Sequence, residues 1–189
     1  MSFVLLLVLL QKNEMMNERN QTESVLSVKN RRTIGPLGFI SAPLPYSHVL
    51  PALANMSSPP ESFTGDWITA DHPSYSKAIA RWAANAEHRA AAVAFVKNAQ
   101  DVAIVLNHAK QHKLPIAIRG GGHSPSGTSS IESGIVIDLS RYLSGVTVDP
   151  TEKLAYVGGG AIWETVDKTA IEHGLATVGG TVNHVSSFR

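Results

Sequence analysis

Between residues 75 and 176 the spacing of hydrophobic positions changes several times, and each change marks an element. Ile79, Trp82, Ala83 and Ala86 fall at helical spacing, so order is expected to begin near Tyr75. Ala91 to Val96 is an apolar run suited to a buried strand. Asn98 then caps a helix, and Asp101, at its third position, favours the N-terminus. Val102, Val105, Leu106 and Ala109 give that helix one apolar face, and Lys113-Leu114-Pro115 ends it. Ile116-Ala117-Ile118 reads as a second buried strand, which completes a βαβ unit with its obligatory crossover. Gly134 to Leu139 is a further strand. Val146-Thr147-Val148 and Leu154 to Val157 flank Asp149-Pro150-Thr151-Glu152 as a hairpin. Gly158-Gly159-Gly160 leads into a helix over roughly 161–172, with Ile162, Val166 and Ala170 on one side. His173-Gly174 closes that helix, the glycine suiting a left-handed end. The fold class is therefore α+β, a parallel unit followed by antiparallel strands.

Upstream the pattern fades. Residues 11–60 are rich in Asn, Glu, Ser and Pro without a sustained period, so 1–60 is expected to be an extension with little fixed structure. Residues 61–86 then read as a helical lead-in. The apolar run Phe3 to Leu10 is far shorter than the roughly 20 residues of a membrane helix. It has no preceding Lys or Arg, and Ala52-Leu53-Ala54 lies too far downstream to be its cleavage site. It is read as a leader rather than a working signal peptide, and a cytoplasmic protein is favoured over a secreted one. Sequons at Asn20 and Asn55 would matter only after secretion.

Composition narrows the chemistry. Hydrophobic residues make up 43% of the 189, enough for a core, while a net charge of +1 argues against a nucleic-acid partner. The absence of cysteine excludes disulfides, Cys-ligated zinc, iron–sulfur clusters and a thiol nucleophile.

The most informative stretch is Arg119-Gly120-Gly121-Gly122-His123-Ser124, continuing to Gly127, directly after a strand. Consecutive glycines let backbone N–H groups turn toward an anionic ligand, and Arg119 could add a charge-assisted contact. A Rossmann turn needs Gly-x-Gly-x-x-Gly opening a helix, but Pro125 stands at the third glycine and 128–134 is not helical in pattern. The run at Gly158 fails similarly, with Trp163 at the last position, and no Walker loop occurs. Gly122-His123-Ser124-Pro125-Ser126 nearly matches a hydrolase nucleophile elbow. Pro125, however, lacks the N–H that the oxyanion would need. A tight structural turn is the remaining alternative.

Leu114 to Ser124 followed by Gly134-Ile135-Val136-Ile137-Asp138-Leu139-Ser140 resembles the FAD-binding domain of the p-cresol methylhydroxylase/vanillyl-alcohol oxidase (PCMH-type) family. Val157-Gly158-Gly159-Gly160-Ala161-Ile162-Trp163 and Gly174 to Gly180 match in the same order, so the likeness spans about 87–184. It is greatest for fungal berberine bridge enzyme-like oxidoreductases. The resemblance implies FAD as cofactor, with Arg119, Gly120, Gly121, Gly122, His123, Ser124 and Gly127 around its pyrophosphate. It places Gly179, Gly180 and Thr181 beside the isoalloxazine. It implies that His123 faces the flavin or is bonded to its 8-methyl group, which suits a nucleophilic imidazole. Some relatives carry a second, cysteinyl link where this chain has Val182, so no such link is expected. Gly158 to Ala161 would support the fold, and Trp163 would belong to the core.

Family chemistry would be oxidation of an alcohol, amine or sugar carbon of a small-molecule substrate, with O₂ reoxidising the flavin. After Asn183-His184 the family continues with more flavin-lining glycines, whereas this chain reads Val185 to Arg189. Residues 87–189 are thus expected to be an incomplete FAD-binding domain, without a substrate pocket or general base. The competing reading is a non-catalytic remnant that binds flavin weakly. His108 and His112 have a spacing compatible with a metal, but lack a third ligand and read as solvated helix residues. Asp138 is read as capping the turn after its strand, and His173 as a helix C-terminal residue placed for the dipole.

Overall fold

A computed structural model describes residues 4–8, 10–11, 56 and 58–187. Its centre is a four-stranded sheet in the order β3 (Asp66–Thr69), β4 (Ala92–Phe95), β6 (Ile135–Asp138), β5 (Ile116–Arg119). β4, β5 and β6 run parallel, and β3 closes the far edge antiparallel to β4. The βαβ reading therefore holds, with β6 inserted between the two strands that helix α2 (Ala99–Gln111) connects.

Both faces of the central strands are covered, which is why β4 and residues 135–137 of β6 are apolar without alternation. On one face Val102, Val105 and Ala109 of α2 pack on Ala92, Ala94, Ile135 and Ile137. On the other, Tyr75, Ala78 and Ile79 of α1 (Tyr75–Ile79) pack on Val93, Phe95, Ala117 and Val136. β5 departs from the expected buried strand: Ala117 is buried, but Ile118 is 58% exposed. The cause is its edge position, with α2 lying over β4 and β6 and Ile118 sharing their face from outside. Leu106 similarly turns outward from the predicted apolar face.

The capping reading is correct and incomplete. Asn98 accepts from the N–H of Asp101 at 2.9 Å. Asp101 itself is 1% exposed, and its carboxylate takes the N–H and hydroxyl of Thr64 and the N–H of Lys97. It ties the chain before β3 to the start of α2, a long-range role that its helical position concealed. The lead-in also differs from expectation. It begins with strand β3, and its helix stops at Ile79, short of Trp82. Four residues at a sheet edge leave too short a pattern to show as a strand.

The second part is built on the predicted hairpin, β7 (Val146–Asp149) with β8 (Leu154–Gly158), and on helix α3 (Trp163–Ile171). Val166 and Ala170 bury against Ala155 and Val157, and Gly174 ends the segment at φ +68° as expected. Near the amino terminus, β1 (Val4–Val8) pairs antiparallel with β8, and β2 (Leu10–Gln11) pairs with β9 (Leu175–Ala176). Val4–Val8, within the apolar run read as a leader, thus forms an edge of that sheet. Most of the expected extension, with both sequons, lies outside the described residues.

His108 carries a stability consequence. Its ring meets Trp67 edge-on at 5.9 Å and lies 4.5 Å from His112, and its buried Nε2 has no hydrogen-bond partner. Burial, then the charge of His112, holds its pKa below the ordinary 6.5. Below that value the unfolded chain takes up a proton that the folded chain resists, so stability falls with pH until the folded imidazole also titrates. His108→Leu is expected to flatten the loss between pH 7 and pH 5, read from urea midpoints at each pH. An unchanged slope would assign the loss to other groups.

Candidate cofactor site

The loop at Gly120 begins where β5 ends, at the carboxyl end of the parallel strands, where open α/β sheets receive their ligands. Its root is an ion pair whose carboxylate is fully buried. Arg119 and Asp138 stand side by side at the ends of β5 and β6, and Arg119 Nη1 donates to Asp138 Oδ2 at 3.0 Å. The same nitrogen donates to the Ala78 carbonyl at 3.1 Å, while Asp138 Oδ1 accepts from the N–H and hydroxyl of Ser140. Asp138 caps the turn as expected, and also anchors Arg119. The Nη1 of Arg119 therefore secures the base of the loop, while its buried Nε keeps no partner.

Above this root the backbone makes two constrained moves. Gly122 adopts φ +74°, and its carbonyl accepts from the N–H of Trp82 at 3.4 Å. At Gly120 a Cβ would stand 2.3 Å from Ser186 Oγ, whose hydroxyl accepts from the N–H of Gly121 at 3.1 Å. Farther on, Gly127 donates to the Ser124 carbonyl, and the Ser124 hydroxyl joins those of Ser126 and Thr128. Among the described residues, the N–H groups of Gly122, His123 and Ser124 have no protein acceptor.

His123 is half-buried between two aromatic neighbours. His184 lies 4.8 Å away and Trp82 6.0 Å away, centroid to centroid. Its Nδ1 is buried without a hydrogen-bond partner. Burial, then the His184 charge, depresses its pKa, which keeps the imidazole neutral near pH 7.

The second predicted segment reaches the same place along a different path. Gly179 and Gly180 lie across the indole of Trp163, itself a core residue as expected. Thr181 and Val182 are exposed beyond them. Asn183 and Val185 then turn their carbonyls onto the N–H groups of Glu164 and Trp163, occupying the start of α3. Ser186 bridges to Ile162 and touches Gly121, so residues 183–186 bind the two glycine segments together. Gly158 and Gly160 donate to the carbonyls of Gly145 and Leu143, the supporting role expected of them.

Four residues were not foreseen here. Arg81 and Trp82 were masked by a helical spacing that the chain does not follow, and Ser186 had no sequence signal. His184 belonged to a quoted segment but had no assigned role. Among the described residues no group of three His, Cys, Asp or Glu could hold a metal, so the pair His108 and His112 gains no third ligand.

Free N–H groups on a glycine loop at the end of parallel strands fit anionic oxygens. Fold and loop together suit a domain that binds a phosphate-bearing cofactor. Residues 90–186 match the FAD binding domain family, and the chain belongs to that family. It is 35% identical over 122 residues to an uncharacterized FAD-linked oxidoreductase of Bacillus subtilis, covering 65% of this chain and 27% of the relative. It is 33% identical over 121 residues to (R)-6-hydroxynicotine oxidase of Paenarthrobacter nicotinovorans, covering 64% and 26%. The crystal structure of 6-hydroxy-D-nicotine oxidase from Arthrobacter nicotinovorans superposes with a TM-score of 0.64 at 32% identity, covering 67% of this chain and 28% of that one. A berberine bridge enzyme-like protein of Physcomitrella patens, at 20% identity and a TM-score of 0.61, shares the fold. The chain thus spans about a quarter of the length of these relatives. FAD is the cofactor the family takes, as the resemblance implied.

Proposed function

We propose that the loop from Arg119 to Gly127 seats the FAD pyrophosphate, that Gly179 to Thr181 border the flavin, and that His123 faces the ring or is bonded to it. The carrying observation is the run of three N–H groups without a protein acceptor, at Gly122, His123 and Ser124, on the glycine loop that carries His123. The domain is proposed to occupy 87–189, with 61–86 leading into it. FAD, when bound by these residues, would supply a hydride acceptor for a substrate carbon that O₂ can reoxidise. The chain's own residues bind and orient. Loop N–H groups hold the anionic oxygens, the Arg119–Asp138 pair fixes the loop's base, and His123 offers a neutral ring nitrogen. The whole protein is proposed to oxidise a small-molecule alcohol, amine or sugar carbon. Names of the relatives, all FAD-linked or FAD-dependent enzymes or oxidases, favour this reading over a remnant without flavin. No helix among the described residues is long and apolar enough to cross a membrane.

The purified protein is expected to be yellow, with flavin absorption bands. A colourless product that takes up no added FAD would overturn the reading. Acid precipitation then tests the bond: flavin retained by the pellet, and released in His123→Ala, marks covalent attachment. Flavin released from the unmodified protein leaves His123 as a facing residue only.

A further inference from the structure

We propose that Trp82 contacts the cofactor, its indole forming one wall of the flavin site and packing on the flat ring of FAD beside His123. The inference rests on the reading that His123 faces the flavin. It begins with a mismatch between backbone and side chain at this position. The backbone around Trp82 is held firmly. Arg81 donates through Nε and Nη2 to the Ser129 carbonyl at 3.0 and 2.7 Å, and through Nη1 to the carbonyls of Ile79 and Ala80, both at 2.9 Å. The N–H of Trp82 reaches the Gly122 carbonyl. Position 82 is therefore tied to the glycine loop itself. The indole, by contrast, is 66% exposed.

Large aromatic surface held on a fixed backbone, in water, stabilises nothing in the fold, yet it is pre-ordered for a partner. The other two tryptophans differ. Trp163 belongs to the second core, and Trp67 packs against the first and donates to the Met56 carbonyl. Trp82 belongs to none of the three core clusters. Its orientation indicates the partner. The indole centroid lies 6.0 Å from that of His123 with the planes 31° apart, so the two rings are nearer to parallel than to edge-to-face. His184 also lies against His123, 4.8 Å away with its ring tilted 56°. A flat, electron-poor ring that meets His123 meets the indole as well, and offset stacking is the favoured contact for such pairs.

The test follows tryptophan emission and FAD affinity in parallel. FAD is expected to quench the emission of the unmodified protein, and Trp82→Phe to remove the largest part of that quench while still taking up FAD. Affinity is compared in a His123→Ala background, so that no bond to the imidazole forms. There Trp82→Ala is expected to weaken FAD binding about tenfold, with the melting temperature unchanged within about 2 °C. Full quenching in Trp82→Phe overturns the inference, as does unchanged affinity in Trp82→Ala. If the His123→Ala background binds no FAD, the emission comparison alone decides. If the unmodified protein takes up no FAD, the proposed function and this inference fall together. Uptake with no effect at Trp82 removes the inference alone.

Discussion

Asp138→Ala is expected to destabilise the protein by about 3 kcal/mol, the lower end of the cost of removing one partner from a buried pair, because the Arg119 side chain keeps some exposure. The Asp138 side chain is 0% exposed, and no water can replace its oxygens without opening the sheet. Its loss strips Arg119 of its counter-charge and leaves the N–H of Ser140 without an acceptor at the end of β6. Asp138→Asn is expected to lose nearly as much. The amide can accept from Ser140 with its oxygen, but then turns an N–H₂ donor toward a guanidinium that also donates. Replacing both partners, Arg119→Met with Asp138→Leu, should cost less than Asp138→Ala alone, because no buried charge is stranded. Urea midpoints at an unchanged m-value measure all three. A loss below about 1 kcal/mol for the alanine variant would mean that water takes the place of the Asp138 carboxylate, and the pair could not be the fixed base of the loop.

That pair also marks the border between what the sequence revealed and what it hid. Runs such as Ala92–Phe95 and residues 135–137 of β6 were legible because burial on both faces makes consecutive positions apolar. The hairpin at Asp149-Pro150, the Asn98 cap and the Gly174 end were legible because each depends on chemistry within a few residues. Contacts between distant residues left no such trace. Arg119 meets Asp138 only because β5 and β6 are neighbours, and Asp101 meets Thr64 only because β3 joins the sheet at its other edge. The exposure of Ile118 depends on strand order in the same way. In the candidate site, the glycine-histidine loop declared itself through composition and position. Trp82, His184 and Ser186 could not, since their place beside it is a product of chain folding. Helical spacing at Trp82 was an accident of a segment that turns after Ile79.

Gly122→Ala is expected to weaken FAD binding about a hundredfold or more while costing the fold only about 1–2 kcal/mol. The smaller figure is that of placing an L-residue at φ +74°. The larger effect comes from where the new methyl group must go. Its Cβ would stand 3.0 Å from Arg119 Nε and 3.5 Å from Arg81 Cδ, between two side chains that are both anchored. Neither can withdraw without breaking its own hydrogen bonds, so the peptide around residue 122 has to rotate instead. Rotation breaks the Trp82 contact and displaces the N–H groups of His123 and Ser124, which have no protein acceptor. Each charge-assisted bond to a phosphate oxygen is worth about 1.5–3 kcal/mol, and losing two accounts for the hundredfold. Gly127→Ala supplies the comparison, because Gly127 has nearly the same φ, +75°, but the edge of the His88 ring as its nearest neighbour. Similar backbone strain there should cost similar stability and much less FAD. Flavin bound per protein, measured beside a melting curve, separates the two effects. If Gly122→Ala kept its FAD, the loop N–H groups would not be what holds the phosphates. If both variants lost it equally, strain and not the direction of those groups would be the cause.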